Sequence, residues 1–383
     1  MTQPWRSRIF FSKALTVLLA VAPAVIASSF LPGTVRASDD FLSGGDEATS
    51  IFDKAKGAVV QVRSGDKGYV LAGSGFFMDD HGTVLTSSTI LGENKTARVV
   101  INGVEMDAKI IGNDPRSGLA MLRVAYDESP FLPLGSTNGL KSGDGVIMIG
   151  FPMSMAVAPS QGAVSGFDAS YLAKVDDASS NTVSAVERFA TTHIHANVAI
   201  SPGQVGGPLL DSQGEVVGLV ATSPDNGKSI YALPVEAMEK IIADFNLYGE
   251  ARYGWVGVNV MQGPDTNHDG RTVRVVQVVP ETPASLSGIQ AGDTVMRIDA
   301  REIYRPADVL DASFYSHVGG SMTVVVRRAD KLYDYSFTVI EHPNRPGQGM
   351  APISTVPGLA NAPSASKPTA EPMTVNHVVN ESH

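Results

Sequence analysis

The 383-residue chain contains no cysteine, so disulfides, thiolate nucleophiles and cysteine-based metal sites are all excluded. Positive charge is also scarce: 29 basic against 39 acidic residues give a formal net charge of −10. Four of the basic residues (Arg6, Arg8, Lys13 and Arg36) precede Ser38 in a segment without acids, which leaves 25 basic against 39 acidic residues after it, or −14. Nucleic-acid binding relies on Lys and Arg to neutralise phosphates, and with no basic stripe present this class is not expected. Beyond Leu31 no apolar run is long enough to span a bilayer. What is present is 43% apolar residues with 38 Gly and 23 Pro, the composition of a loop-rich β protein with real cores. The length allows about two or three domains.

Residues 1–37 carry a basic start, an apolar stretch from Ala14 to Ala27 and a small-x-small site at Val35-Arg36-Ala37. That is the pattern of a secretory signal. An uncleaved inner-membrane anchor is the alternative, because the apolar run continues to Leu31. Either way the expected location is the cell envelope, with the remainder in the periplasm.

An acidic spacer, 38–47, precedes a helix-like segment near Ala48 to Ala55. Short β-branched runs separated by Gly/Asp turns follow at 58–62, 73–78, 83–86, 97–101, 105–111 and 119–124, then at 146–149, 162–167, 193–197, 209–210, 216–221 and 230–233. This rhythm predicts a mainly β protein in two halves. A helix at Pro234 to Ala243 closes the unit 48–245. A second unit, 252–341, combines strands at 273–279, 295–298 and 322–327 with a helix near Ala307 to His317. Residues 342–383, rich in Pro, Ala, Ser and Thr, read as a disordered tail.

The most informative block is Ser201-Pro202-Gly203-Gln204-Val205-Gly206-Gly207-Pro208-Leu209-Leu210. It resembles the nucleophile loop of trypsin-like serine proteases of the HtrA/Deg family, Gly-Asn-Ser-Gly-Gly-Pro-Leu. Gly73-Ser74-Gly75-Phe76 and Asp114-Pro115-Arg116 occur in that family's order. The resemblance implies a trypsin-like double β-barrel, and in 252–341 a PDZ domain. The family's reaction needs a nucleophile, a base beside it and a carboxylate that orients the base. Against the family pattern, Val205 stands in the serine position, Thr89 (after Leu85-Thr86-Ser87-Ser88) in the histidine position and Gly118 (after Asp114-Pro115-Arg116-Ser117) in the aspartate position. None of these side chains can run the relay, and losing such a relay costs about 2 × 10⁶ in kcat. The resemblance also implies that Gly203, Gln204 and Val205 keep the amides of a residual oxyanion loop. Ala196-Asn197-Val198 replaces a Thr-Asp-Ala specificity wall, and the polar insertion Leu172 to Phe189 takes the place of a regulatory loop, or is simply a solvated one.

In the PDZ-like unit, Trp255-Val256-Gly257-Val258 matches a carboxylate-binding loop whose amides would hold a C-terminus while the peptide adds as a strand. Leu310 and Phe314 are expected to line an apolar pocket on the helix opposite. Alternatively Trp255 packs into the core and the chain's own tail fills the groove. The expected function is a catalytically inactive, exported scaffold or regulator that binds peptides or C-termini of envelope proteins. Active family proteases are among the candidate partners, and the resemblance implies a homo-oligomer, commonly a trimer.

Two rival readings remain. One is an active serine endopeptidase of protein quality control that uses relocated residues such as Ser87, Ser88 or Ser201. The other is a transition-metal protein built on His193 and His195, which alternate on one strand and share a face, with His81 and Asn197 as guesses for further ligands. Two ligands alone fall short of a protein site, and no cofactor is otherwise expected.

Overall fold

The computed structural model describes residues 47–65, 71–177, 180–265, 267 and 269–343, with backbone only for 171–188. The expected signal segment, spacer and tail therefore lie outside the described residues. The chain enters through a helix, α1 (residues 47–55), whose Ala48, Ile51, Phe52 and Ala55 recur at helical spacing and pack on the barrel core. Six strands follow: β1 (Val59–Ser64), β2 (Leu71–Phe77), β3 (Thr83–Ser87), β4 (Ala97–Ile101), β5 (Val104–Asp114) and β6 (Leu119–Val124). They close in the order β1-β2-β3-β6-β5-β4, with the single-turn helix α2 (Ser88–Leu91) after β3. Phe77, Val84, Val99 and Leu122 fill the interior.

A second barrel repeats the arrangement: β7 (Gly145–Gly150), β8 (Ala158–Asp177), β9 (Ser180–Val198), β10 (Pro208–Leu210), β11 (Val216–Thr222) and β12 (Ile230–Pro234), closed as β10-β11-β12-β9-β8-β7. Closure removes the edges that open sheets must protect. One expectation needs correction here. Residues 172–189 are not a loop: β8 and β9 continue past the barrel as a paired ribbon, from Ser170 opposite Arg188 to Asp177 opposite Ser180. The register sets Leu172 opposite Val186 and Val175 opposite Val183, but three-residue spacing and the polar residues between them hide any strand period in the sequence. The helix α3 (Val235–Tyr248) then packs Met238, Ile241 and Phe245 into the cluster between the barrels.

The C-terminal unit comprises β13 (Gly254–Trp255), β14 (Val258–Gln262), β15 (Val273–Val278), α4 (Pro283–Ser287), β16 (Thr294–Ile298), β17 (Arg301–Glu302), α5 (Pro306–Tyr315), β18 (Ser321–Arg328), β19 (Lys331–Thr338) and β20 (Ile340–Glu341). Its main sheet runs β14-β15-β16-β18-β19, and β13 pairs with β20. The edge strand β19 escaped the sequence reading, because its exposed, mixed residues lack a strong apolar alternation.

This unit is fastened to the barrels through α5. Asp311 accepts hydrogen bonds from the Thr191 hydroxyl (2.8 Å), the Thr192 amide (2.8 Å) and the Thr192 hydroxyl (2.9 Å) on β9. Phe314 is 2% exposed and meets Tyr253 edge-on at 5.7 Å, with the Lys240 ammonium 5.0 Å from its ring centre. Tyr253 in turn donates to the buried Asp114 and lies under the Arg116 guanidinium, 3.8 Å from its ring centre. Burial and the neighbouring Asp114 carboxylate raise the Tyr253 phenol well above its ordinary pKa, so it stays a hydrogen-bond donor. Phe314→Ala should lower stability by about 3 kcal/mol, the usual cost of emptying a buried aromatic site. A urea midpoint equal to that of the unsubstituted protein would show that this packing does not form in solution.

Candidate functional site

The three positions singled out by the sequence come together where the barrels meet. Ser87 ends β3 and caps α2; its hydroxyl contacts the Thr89 hydroxyl at 2.7 Å and donates to the Ala221 carbonyl, at the end of β11, at 2.9 Å. The amide of Ser88 donates to the Gly118 carbonyl at 2.9 Å. Gly118 has φ +82°, and a Cβ placed there would meet the Ala221 Cβ at 3.0 Å. Its left-handed backbone and limited space both fit glycine. Val205 completes the set: its carbonyl accepts from the Ser74 amide at 2.8 Å, and its side chain packs against the core of the first barrel.

The Ser87 and Thr89 hydroxyls have structural partners. Ser87 and Ser88 are buried, and the Ser87 oxygen bridges the barrels as described. Among the described residues no imidazole is hydrogen-bonded to Ser87, Ser88, Ser201 or Thr89. Ser117 and His193 are both fully buried and closed to solvent, and the Ser117 hydroxyl is directed at the Asp114 carbonyl at 3.4 Å.

The glycine-bracketed loop is tightly shaped. Gly203 has φ +95°, and a Cβ there would lie 2.5 Å from the Phe151 carbonyl. Gly206 has φ +89°, and a Cβ there would lie 2.2 Å from the Ser74 carbonyl. The buried Gln204 side chain accepts from the Ser201 amide at 2.8 Å, while its own amide donates to the Ser201 carbonyl at 3.1 Å. That amide is therefore turned into the loop and does not face the cleft, contrary to the expectation for Gln204. The amides of Gly203 and Val205 donate to no described protein acceptor. The side of the cleft next to Gly203 carries Met153 and Met155, 63% and 57% exposed, on a segment where Met153 and Ser154 take positive φ. Sequence reasoning passed over these two methionines because nothing in their spacing sets them apart.

The histidine pair does share a face of β9, but the two rings have separate surroundings. His193 is fully buried and stacks on Phe189 at 3.8 Å. Its Nδ1–H donates to the Thr191 carbonyl at 3.0 Å, and the Ser117 backbone also lies against the ring. His195 stacks on Tyr231 at 4.6 Å, with the Asp168 carboxylate 3.6 Å from Nδ1. Among the described residues no group of three or more His, Cys, Asp or Glu side chains is placed to hold a metal. His81 pairs with Asp80 on the first barrel, away from both, and Asn197 is exposed further along β9.

In the C-terminal unit, Val256 is buried in the core and its carbonyl accepts from the Ala284 amide at 3.0 Å. The Gly257 carbonyl accepts from the Val279 amide at 2.8 Å. These bonds fix the loop by its carbonyls, while the amides of Val256 and Gly257 donate to no described acceptor. Gly257 has φ +87°, and a Cβ there would lie 2.2 Å from the Thr282 hydroxyl. Val258 opens β14, half-buried against the same core. Trp255 is half-buried with its ring 5.5 Å from that of His342, so it is not a core residue. The helix α5 lies alongside β14, with Val309 and Ala312 packed inward. Leu310 is half-buried on this helix. Phe314, however, does not line the groove, because it is committed to the barrel interface. A ten-residue helix with apolar residues on two faces gives no signal of which face meets which neighbour.

Residues 73–219 match the trypsin-like peptidase domain family and residues 256–339 the PDZ domain family. The chain is 26% identical over 311 residues to a probable periplasmic serine endoprotease DegP-like of Brucella suis biovar 1 (strain 1330), covering 77% of this chain and 58% of that protein. A protein of the same description from Pseudomonas fulva (strain 12-X) is 30% identical over 251 residues, covering 62% of this chain and 49% of that one. The chain thus spans about half the length of these relatives. Among solved structures, the HtrA-type protease AlgW with a tripeptide superposes with a TM-score of 0.63 at 24% identity, covering 78% of this chain and 99% of that one. The same protease with a decapeptide gives 0.60 at 20% identity.

Burial holds the His193 imidazole down to a pKa of about 4, with the Thr191 and Ser117 backbones opposing it. The ordinary value of about 6.5 applies once the chain unfolds, so the folded state binds fewer protons below that pH. The stability contribution is fully present above pH ~6.5 and is lost as pH falls toward the folded value. His193→Phe should flatten this acid-side loss by up to about 3 kcal/mol. An unchanged slope of unfolding free energy between pH 7 and 4 would contradict the burial assigned to His193.

Proposed function

We propose that the chain, whose residues 73–219 match trypsin-like peptidase domains and 256–339 PDZ domains, is an HtrA/DegP-type protein that acts as a catalytically inactive, peptide-binding scaffold or regulator of the cell envelope. The observation that carries the proposal is the content of the inter-barrel site: an isopropyl group, a threonine hydroxyl bonded to Ser87 and a glycine converge there. None can accept a proton near neutral pH or form an acyl-enzyme. An oxyanion hole without a nucleophile retains only a small part of a protease's rate enhancement.

Support for binding comes from the parts that remain intact. The Trp255–Val258 loop leaves the amides of Val256 and Gly257 uncommitted beside β14, the arrangement by which an incoming C-terminal strand is captured. The structural neighbour named above is a protease bound to peptides, and the relatives are named periplasmic. Periplasmic residence, recognition of protein C-termini, association with active proteases of the same fold and a homo-oligomeric state complete the proposal.

Two measurements test it. Val205→Ser alone should restore no casein cleavage and no fluorophosphonate labelling, because the base and its orienting carboxylate would still be missing. Cleavage by the unsubstituted protein that tracks its concentration, and labelling lost on changing one serine, would establish an active protease instead. A C-terminal peptide library should yield binders whose affinity drops at least about tenfold in Gly257→Ala, because the added methyl meets Thr282 and displaces the loop. Binding insensitive to that change would move peptide recognition elsewhere.

A further inference from the structure

On the outer wall of the first barrel, the β5–β6 register sets Lys109 directly opposite Arg123. Side chains so placed stand about 5 Å apart at Cβ, and two like charges in this position destabilise the sheet. Neither cation pairs with a carboxylate among the described residues. Arg123 is held by a hydrogen bond from Nη1 to the His81 carbonyl at 3.2 Å. Asp79, the carboxylate whose field it shares, is occupied by the amides of His81 and Thr83. The two cations line a shallow, open concavity of about 670 Å³, whose wall also contains Asp107 and Asp127.

We propose that this concavity is a binding site for a phosphoethanolamine-type zwitterion, with the phosphate between Lys109 and Arg123 and the ammonium facing Asp107 and Asp127. An oxyanion relieves the cross-strand repulsion and gains charge-assisted hydrogen bonds from both donors. Two carboxylates in the same hollow make a bare anion a poorer occupant than one that carries its own cation. The site lies on the face of β5 and β6 turned away from the barrel interior and is independent of the PDZ loop, so it can be occupied whether or not peptide is bound.

Calorimetric titration of the full chain with O-phosphoethanolamine and, separately, with inorganic phosphate tests the assignment. Saturable binding is expected, tighter for O-phosphoethanolamine. It should weaken at least about tenfold in Lys109→Gln/Arg123→Gln, as the loss of two charge-assisted contacts requires. In Asp107→Asn/Asp127→Asn, O-phosphoethanolamine should fall to the level of inorganic phosphate. All four side chains are exposed, so folding should survive, and removing the repulsion in Arg123→Gln should leave the Tm unchanged or raised. Co-sedimentation with phosphatidylcholine vesicles with and without phosphatidylethanolamine identifies the source. Binding only to the phosphatidylethanolamine vesicles assigns a lipid headgroup; binding of the free compound without vesicle capture assigns a soluble ligand. No saturable binding in either format, equal affinity for inorganic phosphate, or indifference to the Lys109/Arg123 substitution would overturn the proposal.

Discussion

Ser74 joins the two barrels, and the geometry of the inter-barrel site depends on it. Its side chain is fully buried; its hydroxyl donates to the Gly203 carbonyl at 2.8 Å and accepts from the Phe151 amide at 2.9 Å. Its amide donates to the Val205 carbonyl at 2.8 Å, and its carbonyl accepts the Thr86 hydroxyl at 2.7 Å. One residue of the first barrel thereby satisfies four groups drawn from both barrels. Buried polar groups that lost these partners would each cost about 1–3 kcal/mol. The glycines around it follow from the same constraint: at Gly206, any side chain would displace the Ser74 carbonyl or the Thr86 hydroxyl. The loop keeps the shape of a nucleophile-bearing turn because this bonding is backbone-directed and does not depend on the residue at position 205.

That independence reconciles a well-formed site with the chemistry proposed to be absent from it. A valine at position 205 adds apolar contact with the first barrel's core, and a glycine at 118 relaxes a left-handed backbone. Each residue suits its local packing. The second anchor, Asp311 of α5 bonded to Thr191 and Thr192, couples the C-terminal unit to β9, the strand that holds His193. The α5 helix therefore serves both neighbours: its Val309 and Ala312 complete the PDZ core, while Asp311 and Phe314 belong to the barrel.

Much of the architecture could be read from period and punctuation. The strands 97–101 and 119–124 match the structure residue for residue, since Gly/Asp turns and β-branched alternation define both ends. Where polar residues interrupt the alternation, as in the ribbon beyond Ser170 or in β19, the reading stopped short. Backbone pairing to a neighbour, which the sequence does not display, sustains those segments. The same reasoning failed for Phe314, assigned to a groove on apolar character alone, and for the Gln204 amide, whose direction is set by a turn with Ser201.

The sequence by itself determined which chemistry is available: no thiol anywhere, no hydroxyl at 205, no imidazole at 89 and no carboxylate at 118. Residue identity alone fixes what a side chain can donate, accept or attack with. The tertiary structure decided what each group is near and therefore how it is used. It brought Thr89, Gly118 and Val205 to one seam, buried His193 beneath Phe189, turned Phe314 to the barrel and set Lys109 against Arg123. Those relations depend on register and packing between segments far apart in the chain, which local periodicity does not encode.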